Sequence, residues 1–174
     1  MAKTEKNYGP KINALAKEFD LPSSYLKALI ILEVGGRNPA PTRFEKGIYK
    51  KLKKLKNGEI SRFEVLRKKT IRDASDEALK NLSTSWGAFQ IMGYKCVQMG
   101  IKVSDIRGSK SLYWGVKWIN DEYGKYLRKN KFKDAFHIHN TGRKYPNFGA
   151  PQTYHLDYVP NGLKYIEMFE KLQT

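Results

Sequence analysis

Apolar residues recur at helical spacing along most of the chain. Ile12, Leu15, Ala16 and Phe19 share one stripe and predict a first helix over residues 7–19. "DLPSS" interrupts the pattern, and Pro22 suits the first turn of a second helix that runs to about Val34. There Leu26, Leu29 and Ile30 share a face, while Ile31 and Leu32 cover another side. This helix is therefore expected to be central and buried on several faces. Gly35 and Gly36 follow, residues able to take the left-handed backbone that ends a helix.

"RNPAPTRF" reads as a loop punctuated by two prolines. "EKGIYKKLKKLKNG" has Ile48, Leu52 and Leu55 on one face, lysines elsewhere and Gly58 as its stop. "EISRFEVLRKK" repeats that helical pattern with Ile60, Phe63 and Leu66. "SDEALKNL" is a short helix with Ser75 as its expected N-cap. "STSWGAFQIMGYKCVQMG" opens as a loop and continues as an apolar helix. "SKSLYWGVKWINDEYGKYLRKN" is a long helix, with Leu112, Val116, Ile119 and Tyr123 on one side. "FKDAFHIHNTG" closes at Gly142, and "PNGLKYIEMFEKL" is the last helix. Alternating apolar positions are scarce. The expected class is mainly α, with at most a small β-hairpin near residues 37–47, in one domain spanning residues 1–174.

One residue breaks the apolar logic. Glu33 continues the Leu29–Ile30 stripe in the last turn of the second helix. A carboxylate there is disfavoured by burial and by the helix dipole, the latter by about 0.3–1 kcal/mol. Both effects favour the neutral carboxyl. A carboxyl that keeps its proton near neutral pH is what glycoside cleavage requires of a general acid. The alternative is an ordinary structural glutamate.

The ordered segments "LEVGG", "SWGAFQIM" and "IHNTG", followed by a late tyrosine, add to that reading. Together they resemble the lysozyme-like group of soluble lytic transglycosylases and goose-type lysozymes. "TRFEKGIY" and "STSWGAFQIMGYK" are similar, more specifically, to phage N-acetylmuramidase endolysins. The resemblance covers about residues 20–170. It implies a lysozyme-like helical domain that cleaves the β-1,4 bond between N-acetylmuramic acid and N-acetylglucosamine in bacterial peptidoglycan, without a cofactor.

By the same resemblance Glu33 is the acid. Ser85, Trp86, Gly87 and Gln90 would form one wall of a glycan cleft, with Gln90 on an acetamido group or orienting Glu33. For Trp86 a core indole is the alternative. His139, Asn140 and Gly142 match a Tyr-Asn-x-Gly segment, with His139 in place of the usual tyrosine; the other reading of His139 is a core histidine. Tyr158 is the expected contact of Glu33, with Tyr154 as the fallback. Glu45 is the candidate second carboxylate, or else a charge at a helix start. Asp73 and Asp76 are weaker candidates. An inverting hydrolase needs its two carboxyl groups roughly 6.5–9.5 Å apart. A lytic transglycosylase needs no second carboxylate, because the sugar's own 6-hydroxyl attacks.

Composition narrows the partners. The net charge of +16 fits a polyanion: nucleic acid, an anionic membrane or a bacterial envelope. No nucleic-acid motif is present, which argues against that partner. The lysine helix reads as a solvated face over a docked apolar side, or as a contact for an anionic envelope surface. Phage tail proteins are the partners expected if the protein travels in a virion. His137 and His139 are too close in sequence to face the same way on a helix, so no metal site is expected. Cys96, the only cysteine, leaves no internal disulfide and lies on an apolar side. "MAKTEKNYGPKI" lacks the apolar segment of a Sec signal, and "ALIILEV" is far shorter than the roughly 20 residues of a membrane span. Synthesis in the cytoplasm is therefore expected, with a holin or a virion giving access to the wall. A non-catalytic wall-binding or virion structural module on the same fold is the alternative function.

Overall fold

Apolar stripes become packed helices around one central helix. The computed structural model describes residues 1–172. Helix α1 (Ala2–Phe19) and helix α10 (Tyr158–Glu170) both pack on α2 (Ser23–Val34). Helix α8 (Ser111–Leu127) packs on α1 and on α9 (Phe132–Thr141), and α9 also meets α10. Tyr25, Leu26, Ala28, Leu29 and Ile30 of α2 are all fully buried. A run of consecutive buried residues requires neighbours on every side of the helix, as expected for α2. Lys27 is buried in the same run; its ammonium pairs with Glu5 at 2.6 Å and lies over the Phe169 ring.

A second, smaller apolar cluster lies apart from this core. It is built on α3 (Lys46–Asn57), the strands β2 (Arg62–Phe63) and β3 (Leu66–Arg67), α4 (Lys68–Ile71) and α5 (Asp76–Leu82). Leu52, Leu55, Leu66, Ile71, Leu79 and Tyr94 fill it. Between the two clusters runs an antiparallel sheet in the order β1 (Arg43–Phe44), β4 (Thr84–Trp86), β5 (Ile91–Met92). Two short helices, α6 (Lys95–Met99) and α7 (Val103–Arg107), lead to α8.

Several sequence expectations are corrected here. "EISRFEVLRKK" is a β2–β3 hairpin followed by α4, not a helix. Glu64 takes the left-handed backbone (φ 52°) at the turn, which sets Phe63 directly opposite Leu66. The cross-strand pair delivers two apolar side chains to the second cluster, something the period alone does not distinguish from a helix. The hairpin foreseen at 37–47 is absent. β1 instead pairs with β4, in the register Arg43↔Ser85. "STSWGAFQIM" forms β4, a tight turn and β5, and the helix expected after it begins only at Lys95. Helix α1 begins at Ala2, earlier than the stripe predicts, and α7 carried no signal that the pattern picked out.

Candidate active site

The end of α2 is fixed by its own glycine cap and by α1. Gly35 and Gly36 are left-handed, with φ of 59° and 69°, and their amides bond back to the carbonyls of Ile31 and Ile30 at 2.9 and 3.4 Å. This satisfies carbonyls that a helix end leaves open. Helix α1 then holds the departing chain. Asn7 donates to the Gly36 carbonyl at 2.8 Å, and the Tyr8 hydroxyl donates to that of Arg37. Thr4 sits so close that a Cβ on Gly36 would lie 2.5 Å from its hydroxyl.

Glu33 is thereby held in the last turn of α2 with its side chain only 17% exposed. The hydroxyl of Tyr158, at the start of α10, donates to Glu33 Oε1. His139 Nε2 lies 3.6 Å from the same oxygen. Among the described residues Oε2 makes no hydrogen bond. Burial, and then the charge of Glu33, push the Tyr158 hydroxyl well above its ordinary value, so it stays a donor. Asn140 accepts from the Tyr154 amide at 3.2 Å, and its side chain works against the rise at Tyr158.

A chain of buried polar groups runs behind Glu33. Tyr25 donates to Tyr123 across 3.4 Å, and the Tyr123 hydroxyl lies 2.7 Å from His139 Nδ1. His139 Nε2 lies 3.0 Å from the Phe89 carbonyl. Burial lowers the pKa of His139, with Glu33 and the Phe89 carbonyl working the other way. Burial raises that of Tyr123.

A cleft of about 490 Å³ opens beside Glu33. Arg37, Thr42, Arg43 and Glu45 line one side; Ser85, Gln90, Met92, His139, Asn140, Tyr154 and Tyr158 line the rest. Glu45 therefore faces the same cleft as Glu33. It is the N-cap residue of α3 but makes no side-chain cap bond, and it pairs with Arg43 instead. A hollow of about 570 Å³ shares Gln90, Met92, His139 and Asn140 with the cleft and adds Gly142 and Trp118, so the opening continues past α9.

Ser85 and Gln90 line the cleft, but their polar atoms are committed to the protein. Ser85 donates to Gln90 Oε1 at 2.9 Å, and Gln90 Nε2 donates to the carbonyls of Pro41 and Gly87 at 2.8 and 3.0 Å. Gln90 thus ties the 41–43 loop to the β4–β5 turn rather than orienting Glu33. Trp86 and Gly87 do not line the cleft beside Glu33. They line an adjoining hollow of about 340 Å³ with Lys11 and Arg107, which shares Thr42 with the cleft. Successive strand residues point to opposite faces, so Ser85 at the cleft sends Trp86 away from it. There the indole donates to the Asn81 carbonyl and Arg107 stacks 4.4 Å above its ring.

The remaining candidates fall outside the cleft. Asp73 and Asp76 are exposed and paired with Arg72 and Lys53. The Cys96 thiol is buried and pushed up to about 12. The His137 ring turns away from His139, to the Arg143 carbonyl at 2.7 Å and the Gln152 amide at 3.1 Å. Among the described residues no group of three or more His, Cys, Asp or Glu stands close enough to hold a metal, and no helix is long and apolar enough to cross a membrane. Tyr123, Tyr25 and Arg43 were missed in the sequence. Tyr123 looked like one more core position of α8, and only its hydroxyl on His139 reveals more.

No protein-family model matches the sequence, and no curated protein matches it. Among solved structures, the endolysin of Burkholderia phage AP3 superposes with a TM-score of 0.61, over 94% of this chain and 70% of that one, at 17% identity. The chain has the fold of a phage endolysin. It is mainly helical, with two small sheets, and the cleft described above lies where its α2, β-sheet, α9 and α10 converge.

Proposed function

We propose that this chain cleaves bacterial peptidoglycan at the β-1,4 bond between N-acetylmuramic acid and N-acetylglucosamine, as a phage endolysin or virion-borne lysin. The observation that carries the reading is the asymmetry of Glu33. One oxygen accepts from Tyr158 and has His139 Nε2 3.6 Å away, while the other, among the described residues, makes no hydrogen bond and lies beside a cleft. That arrangement suits a general acid. The proton sits on Oε2 and passes to the bridging oxygen as the glycosidic bond breaks, leaving an oxocarbenium-like sugar. The likeness in fold to a phage endolysin supports a role in cell-wall lysis.

Hydrolysis would use a second carboxylate on the cleft, and transglycosylation would not need one. Glu45, on the same cleft, would take a proton from water attacking the opposite face of the sugar. Arg43 fixes its orientation. Release through a holin, or carriage beside tail proteins in a virion, would bring the enzyme to the wall. The lysine face of α3 would hold it on an anionic envelope surface.

The test is direct. Purified cell wall is incubated with the protein, with Glu33→Gln and with Glu45→Gln, and the released fragments are weighed by mass spectrometry. Wild type should give reducing-end muropeptides, and each variant should lose about 10²-fold or more. Equal release by Glu33→Gln ends the catalytic reading. Products one water lighter, with Glu45→Gln active, would assign a lytic transglycosylase. Wall binding with no fragments at all would mark a non-catalytic module.

A further inference from the structure

His139 carries more structure than a sugar contact needs. Its side chain is only 5% exposed. Trp118 and Tyr123 stand edge-on to the ring, with centroids 5.6 and 6.0 Å away. Both ring nitrogens are engaged, and the partners fix which one bears the hydrogen. The Phe89 carbonyl, 3.0 Å from Nε2, can only accept. Nε2 therefore carries the hydrogen, and Nδ1, 2.7 Å from the Tyr123 hydroxyl, accepts. Tyr123 is free to donate because its own oxygen receives the Tyr25 hydrogen. The relay runs in one direction: Tyr25 to Tyr123 to Nδ1, then Nε2–H toward Phe89 and Glu33.

We propose that His139 is a positioning residue for Glu33: as a neutral imidazole with its hydrogen on Nε2, it holds Oε1 from the protein side, so that Oε2 is the oxygen that carries the transferable proton. The inference rests on the reading of Glu33 as the acid. Its physical content is the difference between a dipole and a charge. An imidazolium 3.6 Å from Glu33 would hold the carboxyl ionised and remove the acid. A neutral N–H bonded to Phe89 at 3.0 Å sets its positive end 3.6 Å from Oε1 and orients the group in either protonation state. It leans toward Oε1 as negative charge develops when the proton leaves. Burial keeps the ring uncharged. The groups that bear on it are Glu33 from α2, Tyr123 from α8 and Tyr158 from α10, with Glu64, Lys95 and Glu122 further out on the adjoining hollow.

Two arms test this. The first is ¹⁵N NMR of the imidazole rings in the full chain at neutral pH, which reads the tautomer without reference to activity. Hydrogen on Nε2 of a neutral His139 supports the proposal; hydrogen on Nδ1, or a doubly protonated ring, overturns it. The second compares His139→Phe and His139→Gln on purified peptidoglycan, with kcat, KM and the pH profile measured for each. Phe removes the donor and Gln keeps an N–H without a titrating ring. Phe should lower kcat by about 10- to 100-fold and displace the alkaline limb of the profile, with KM within about twofold. Gln should recover most of kcat. A folded Phe variant with wild-type kcat and profile overturns the proposal, and so does a Gln variant that folds but recovers nothing. Where neither variant folds, the tautomer decides. If the wild type releases no fragments, the reading of the cleft fails, while the NMR arm still decides the geometry of His139.

Discussion

In the proposed reaction Glu33 gives up a proton, and its neighbours set how. Tyr158 donates to Oε1, a bond that is strongest when Glu33 is charged. Tyr158→Phe removes that donor from a site only 9% exposed. It should lower kcat by about tenfold or more and cost about 1.5–3 kcal/mol of stability, read from urea unfolding and from fragment release. His139 contributes a pH dependence to stability. Burial lowers its pKa from the ordinary 6.5. In the interval between the two values the unfolded chain binds a proton that the folded chain does not. Its contribution is therefore full above pH 6.5 and is lost as the pH falls from there toward the lowered value. Urea midpoints of wild type and His139→Gln at about pH 7.5 and about pH 5 should show a smaller acid loss in the variant. At this scale the sequence showed Glu33, because a charge on an apolar stripe stands out. It did not show Tyr123, because an aromatic on such a stripe looks like core.

Helix ends place these side chains, and the α2 terminus is the critical one. Gly35 and Gly36 both need left-handed backbone, but only Gly36 also meets a neighbour, Thr4. Gly35→Ala should cost about 1–2 kcal/mol from backbone strain alone. Gly36→Ala should cost more, because α1 must move from the end of α2. It should also reduce fragment release, while Gly35→Ala reduces it less; denaturant curves and the release assay on both variants check this. Elements with a local signal were legible. The Ser75 cap, which accepts from the Ala78 amide at 3.1 Å, and the glycine stops of α2, α3 and α9 lie within a few residues of the stripes they bound. The strands were not legible. With two or three residues each, they show no alternation to read. β1 finds β4 some forty residues away, through a pairing that no local pattern encodes.

The molecule as a whole is two apolar clusters with a sheet and a cleft between them, and its charge is uneven. Residues 46–80, which build the smaller cluster, hold twelve Lys and Arg against five Asp and Glu. Lys50 and Lys54 stand exposed on α3, over the buried Leu52 and Leu55. A surface of this kind holds a polyanion by long-range attraction, which salt screens over about 10 Å at 0.1 M. Binding to purified sacculi should weaken as salt rises from about 0.05 to 0.5 M. Lys50→Glu/Lys54→Glu should bind less at low salt and show a shallower salt dependence, with little change in thermal midpoint because both positions are exposed. Pelleting of the protein with sacculi across the salt series measures both.

The sequence alone determined what is written in short range: which stripes are helices, where glycines end them, that the chain is strongly basic, and that a carboxyl interrupts an apolar face. Each depends on residues a few positions apart, where covalent geometry fixes the spacing. Only the tertiary structure decided which of Ser85 and Trp86 lies beside Glu33, that Gln90 is held by Pro41 and Gly87, and that His139 stands behind Glu33 between the Phe89 carbonyl and the Tyr123 hydroxyl. Those outcomes turn on contacts between residues far apart in the chain, where a strand's register or a rotation of one helix against another changes which atoms meet.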